Sequence, residues 1–221
     1  MSRYTEPKWS KSALITIDTQ CDTLDGQPFE IPGTSAILPC MEALLHTYRE
    51  AEKPIIHVVR IYKADGSNVD LCRRELIEGG AALVLAGSSG CQLAPELLPH
   101  AGIELDADLL LTGGIQKLNS SEVAIYKPRW GAFYGTPLRE LRVSTLVFTG
   151  CNFPNCPRTS IYEASERDFH VVLVEDAISG LYEQGRREMR NIGVELISAD
   201  QVIDAVKHST ELAYRDRDAH H

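Results

Sequence analysis

The stretch "VFTGCNFPNCPRTSIYEASERDF", residues 147–169, decides the fold, because a strand, a sharp turn and the start of a helix follow one another within it. Its first residues close the β-branched run "TLVFTG" (145–150), which suits a strand covered on both faces. Proline is favoured at the first position of a helix, so "PRTSIYEASERD" starts a helix at Pro157, with Cys156 or Asn155 as its cap. The Cys156 sulfur is then expected at the positive end of a helix dipole, which favours thiolate and predicts a lowered pKa. Free backbone N–H groups at the same point can hold a developing oxyanion. Cys151 follows Gly150 directly, at a strand end where a side chain packs against the turn.

The same alternation extends in both directions. Further apolar runs are "ALITID" (13–18), "IIHVV" (55–59), "EVAIY" (122–126), "HVVLVE" (170–175) and "VELIS" (194–198). Helical spacing fills "SAILPCMEALLHTYREAE", "TPLRELRV", "YEQGRREMRNI" and "ADQVIDAVKHS". Strand–helix–strand order implies right-handed crossovers and a parallel sheet between helices. The expectation is one three-layer α/β/α Rossmann-like domain over residues 1–221, with a six-stranded parallel sheet. The interval 61–121 has only weak periodicity; such a long loop region shapes a pocket or a subunit contact.

Composition narrows the function. With 22 basic and 31 acidic residues the formal charge is -9, which argues against nucleic acid as a partner. No stretch approaches the roughly 20 apolar residues of a membrane span. The start "MSRYTEPKWSKSALITID" shows no apolar core of signal-peptide length, so the chain reads as cytoplasmic. Six cysteines without regular spacing then predict free thiols rather than a disulfide framework. The closing "AHH" reads as a tag stub or a natural end and carries no function.

Ligands in such sheets bind beyond the carboxyl ends of the strands, and three reactive groups fall there: Asp18, Lys127 and Cys156. Taken singly, each has a plain structural reading, as a turn residue, a surface amine and a small buried side chain. Together they offer an acid or base, a cation and a nucleophile.

At this point the residues resemble the isochorismatase-like cysteine hydrolases, the superfamily of nicotinamidases, N-carbamoylsarcosine amidases and ureidoacrylate hydrolases. "LITIDTQCD" is similar to the first-strand motif, fitting Asp18, Gln20 and Asp22. "YKPRWGAFYGTPL" resembles the lysine segment, with Lys127 and an aromatic wall of Trp130 and Phe133, for which core packing of Phe133 is the alternative. "GCNFPNCPRTSIYEA" matches around the nucleophile, with Glu163 and Ala164, and "VEDAISG" adds Asp176 and Ala177. The resemblance implies that Asp18 takes the Cys156 proton, Lys127 balances charge, and Cys156 attacks a carbonyl to form a thioester. It also implies a cis peptide between Cys151 and Asn152, an oxyanion hole made by the backbone amides of Asn152 and Cys156, and a homodimer or homotetramer. The expected partner is a small-molecule substrate carrying an amide, carbamoyl, ureide or lactam bond, with Gln20, Trp130, Phe133 and Asn155 around it and no cofactor.

Two departures stand out. Metal-dependent nicotinamidases carry an aspartate and histidines after the second strand, where this chain reads "HVVRIYKADGSNVDLCRRE", so no metal site is expected. His57 is expected to pack or hydrogen-bond in its strand, with substrate contact as the alternative. The usual Thr-Asp-x before the cysteine is replaced by Phe153, Pro154 and Asn155, and isochorismatase proper lacks the nucleophilic cysteine. Arg60, Asp65, Asp70, Arg73 and Arg74 form a charge cluster that reads as a solvated face, a subunit contact or a polar-substrate site. Rival functions are a thiol redox protein using Cys151 and Cys156, and a catalytically silent binding member of the family. A nucleotide-binding Rossmann protein is disfavoured, since no strand runs into a GxGxxG loop.

Overall fold

A computed structural model of the chain describes residues 3–218; the closing histidine pair lies outside them. The elements run β1 (Ser12–Ile17), α1 (Leu38–Glu50), β2 (Ile55–Val59), α2 (Arg74–Glu78), α3 (Ala107–Leu111), β3 (Ile115–Lys117), β4 (Glu122–Tyr126), β5 (Thr145–Gly150), α4 (Cys156–Ser165), β6 (His170–Ile178), α5 (Glu183–Asn191), β7 (Glu195–Ile197) and α6 (Ala199–Asp218). The sheet is seven-stranded, in the order β3-β4-β2-β1-β5-β6-β7. All neighbours are parallel except β3, which pairs antiparallel with β4.

The expected six strands are all present, and β3 corrects the count to seven. It escapes the sequence because "IQK" is three residues long and polar at two of them, so it lacks the apolar run that marks a covered strand. The expected helix at 136–143 is also corrected: only a 3-10 turn, Pro137–Glu140, forms there, with Leu138 alone buried.

Burial explains the layers. All six residues of β1 are buried, as the continuous apolar run demands. On one face α1 presents Leu38, Met41, Leu44, Leu45 and Tyr48 at helical spacing, and these pack with Val202 and Val206 of α6. Each fully buried leucine there contributes about 2 kcal/mol. On the other face Ile161 and Ala164 of α4 and Met189 of α5 cover Ile15, Phe148 and Leu173.

His57 sits fully buried within the sheet. Its Nδ1 meets Thr16 Oγ1 at 2.8 Å and its Nε2 meets Glu122 Oε1 at 2.7 Å, while Arg49 closes on Glu122 at 2.7 Å. It therefore hydrogen-bonds across strands, as expected, and takes no part in the site below.

The chain order reverses between β1 and β5: β2 and β4 lie to one side of β1, and β5, β6 and β7 to the other. That reversal opens a crevice at the carboxyl ends of β1 and β5. Asp18 and Cys156 follow those two strands, and Lys127 follows β4 on the same edge.

Candidate active site

Asp18 ends β1 with a φ of 48°, in the left-handed region that aspartate tolerates better than most residues. Backbone bonds hold it there. Its N–H donates to Val58 O at 2.9 Å, and its carbonyl accepts from Gln20 N–H at 3.0 Å and from the Cys151 thiol at 3.0 Å. The side chain is thereby aimed at Lys127, whose Nζ lies 2.8 Å from Asp18 Oδ2. Lys127 is fully buried, and its own N–H is tied to Val59 O at 3.0 Å. A buried ammonium requires this compensation. From the same Nζ the Cys156 sulfur is 3.2 Å away. Asp18 Oδ1 is buried and has no partner among the described residues.

Cys156 is the first residue of α4, one position earlier than the proline suggests, with Asn155 as the cap. Asn155 makes no capping bond; its side-chain N–H donates instead to Asn152 Oδ1 at 3.1 Å. The Cys151–Asn152 peptide is cis, at the position the family resemblance gives it. Among the described residues neither the Asn152 nor the Cys156 backbone N–H has an acceptor, so two donors remain free beside the sulfur. Gly150, at φ 108°, makes the turn possible: a Cβ there would lie 2.2 Å from Ile17 O, which accepts the Cys151 N–H at 2.8 Å.

The thiol corrects one expectation. Burial, followed by the Asp18 charge, pushes Cys156 up to about 11, against the pull of Lys127 and Arg60. The helix terminus is present as expected, but desolvation outweighs it. Burial therefore favours the thiol form of Cys156 at neutral pH. Cys151 is raised further, to about 12, by burial first and Asp18 second; its thiol also meets Thr23 Oγ1 at 3.7 Å.

Asp18 and Cys156 open on a cavity of about 270 Å³, with Lys127 buried behind them. Asp18, Gln20, Trp130, Asn152, Asn155 and Cys156 all line it, and Lys127 does not. Gln20 is wholly engaged: Nε2 donates to Arg60 O at 2.8 Å and Cys91 O at 2.6 Å, and Oε1 accepts Arg60 N–H at 2.9 Å. It joins the ends of β1 and β2 and leaves no group for a ligand. Phe133 does not line the cavity. It is buried in the core, its ring 5.8 Å from that of Phe169, so its sequence proximity to Lys127 misleads. Glu163 holds the lysine loop, accepting Phe133 N–H at 2.9 Å over Gly131, where a Cβ would come within 2.2 Å of Oε2. Asp22 accepts Val84 N–H at 2.6 Å, and Asp176 accepts Ala199 N–H at 2.8 Å. These motif residues support loops.

The charge cluster divides. Arg60 is buried at the end of β2 and paired with Asp70 at 2.8 Å; Arg73 also faces the cavity. Asp65 instead bonds Ser67 on an exposed loop, and Arg74 is exposed. With a guanidinium after the second strand, a divalent cation does not fit there, and among the described residues no three His, Cys, Asp or Glu side chains gather as metal ligands. Sequence reasoning missed the apolar wall of Phe29, Ile31, Leu83 and Val84, which comes from loops without periodicity.

Asp18, Lys127 and Cys156 thus gather at the crevice of a sheet reversal in a three-layer α/β protein. The Isochorismatase domain profile matches residues 12–201, and the chain belongs to that family. It is similar to a probable inactive nicotinamidase of Arabidopsis thaliana, 26% identical over 85% of this chain and 92% of that one. N-carbamoylsarcosine amidase of Arthrobacter sp is 24% identical over 88% of this chain and 70% of its own length. Among solved structures, an isochorismatase family protein of Desulfovibrio vulgaris superposes with a TM-score of 0.74 at 30% identity, covering 89% of this chain and 98% of that chain.

Proposed function

We propose that the protein is a cysteine-dependent hydrolase that cleaves a C–N bond of a small molecule: an amide, carbamoyl, ureide or lactam bond. The observation that carries this reading is the buried Lys127 Nζ standing 2.8 Å from Asp18 and 3.2 Å from Cys156, both of which line a cavity.

In the proposed reaction the Asp18 carboxylate takes the thiol proton as the sulfur attacks the substrate carbonyl carbon, forming C–S. The nearby ammonium steadies the charge passing through sulfur, which a thiol raised to about 11 needs at neutral pH. The carbonyl oxygen becomes an oxyanion in reach of the Asn152 and Cys156 N–H donors. Collapse breaks C–N, and the leaving nitrogen receives the proton from Asp18. Water, deprotonated by the same carboxylate, then cleaves the thioester and frees the acid and the thiol.

The Arabidopsis relative is a probable inactive nicotinamidase; here the Asp–Lys–Cys set favours turnover. A redox role is disfavoured by Cys151, whose thiol is buried and committed to the Asp18 carbonyl. All six cysteines are free, which supports a reducing compartment such as the cytoplasm. The test is a panel of amides, ureides and lactams with ammonia or amine detection, run beside Cys156→Ala. Release that depends on Cys156 supports the reading; equal release by folded Cys156→Ala refutes it.

A further inference from the structure

The charges in the cavity do not all close on one another. Lys127 pairs with Asp18, and Arg60 with Asp70. Arg60 also donates to Pro128 O at 3.0 Å and Arg129 O at 2.8 Å, so its guanidinium is tied to the loop after Lys127. Arg73 has no such closure. Its Nη1 lies 3.6 Å from Asp70 Oδ2, an oxygen already shared with Arg60 and Tyr62, and 3.3 Å from the Tyr62 hydroxyl. Among the described residues its Nη2 and Nε have no partner. The rim anion Glu30 turns Oε2 to Gly26 N–H at 2.6 Å and makes no ion pair with Arg73.

Arg73 is also held in place. Its guanidinium carbon lies 4.6 Å from the Trp130 ring centre, and that of Arg60 lies 5.9 Å from the same ring. Stacking on tryptophan fixes the plane of a guanidinium and leaves its edge free. The side chain is 29% exposed and lines the cavity. A protein with a formal charge of -9 has thus placed a preorganised, underused cation beside its nucleophile. Two parallel N–H donors on one edge match a planar carboxylate, and Phe29, Ile31, Leu83 and Val84 give the same cavity an apolar wall.

We infer that Arg73, held over the ring of Trp130, is a specificity-determining residue that receives the carboxylate of the substrate, making the substrate a small acidic amide or carbamoyl compound. This rests on the hydrolase reading above, and goes beyond it by naming the charge and the residue that reads it.

The test uses two alkylating reagents that differ only in this charge, iodoacetate and iodoacetamide, with Cys156 modification followed by mass spectrometry at pH 9. The ratio of the two rates cancels any change in thiol ionisation that a variant causes. Relative to N-acetylcysteine, Cys156 should favour iodoacetate by about tenfold, the scale of one added attraction in a half-buried site. Arg73→Gln should return the ratio to that of the free thiol, and Arg73→Lys should keep part of it. An equal ratio in wild type and Arg73→Gln overturns the proposal while leaving the hydrolase reading standing. No labelling by either reagent overturns the nucleophile itself, and both readings with it. Should Arg73→Gln fail to fold, wild type alone decides: benzoate should protect Cys156 from iodoacetamide better than benzamide, and the reverse order overturns the assignment.

Discussion

Replacing Lys127 with methionine tests the core of the site, because it removes one charge and keeps most of the volume. The ammonium is fully buried, 2.8 Å from Asp18 Oδ2, and Asp18 is only 12% exposed. Asp18 Oδ1 has no partner already, so Lys127→Met leaves this buried carboxylate without a countercharge at hydrogen-bond distance. Removing one member of a buried pair costs about 3–5 kcal/mol, since the other charge is left uncompensated. In a chain of this length each kcal/mol is worth roughly 2–4 °C, so the melting temperature should fall by about 6–20 °C. The double variant Asp18→Asn/Lys127→Met leaves no stranded charge and should recover most of that loss, giving a coupling energy of the same size. Urea unfolding of the four proteins at pH 7 measures it. If Lys127→Met is as stable as wild type, or the double variant is no better than the single, the charges are not coupled and the account of the site is wrong.

Two other outcomes are expected. Although burial raises it, Glu122 is held down to about 2 by Arg49 and then His57, so its contribution to stability is complete above the ordinary glutamate range and is lost as pH falls toward 2. Unfolding free energies of wild type and Glu122→Gln between pH 5 and 2.5 should show a shallower slope in the variant; identical slopes would remove this pair from the acid response. Iodoacetamide labelling of Cys156 should keep rising about tenfold per pH unit between pH 7 and 9.5, since the thiol is raised to about 11; a plateau near pH 7 would mean the sulfur is already ionised.

How much of this was legible in the sequence depended on whether a feature is local. Asp18, Lys127 and Cys156 each follow a run apolar enough to be a covered strand, so the rule for parallel sheets brings them to one edge without coordinates. Strand β3 was invisible because three residues, two of them polar, carry no periodic signal. Phe133 was misplaced because adjacency to Lys127 does not say which way a ring turns, and the Glu163 bond to its backbone sends it inward. Arg73 reaches the cavity through a 3-10 turn, Leu71–Arg73, inside a region without pattern, so its role among five charged candidates could not be read. The thiol pKa was misjudged for the same reason: a helix start is written locally, while depth beneath other loops is not.

The protonated state of Cys156 has a consequence for durability. Peroxide and stray electrophiles attack thiolates, so a sulfur that burial holds as the thiol offers them little to react with. The cysteine most open to such damage is instead Cys72, which is exposed and does not line the cavity.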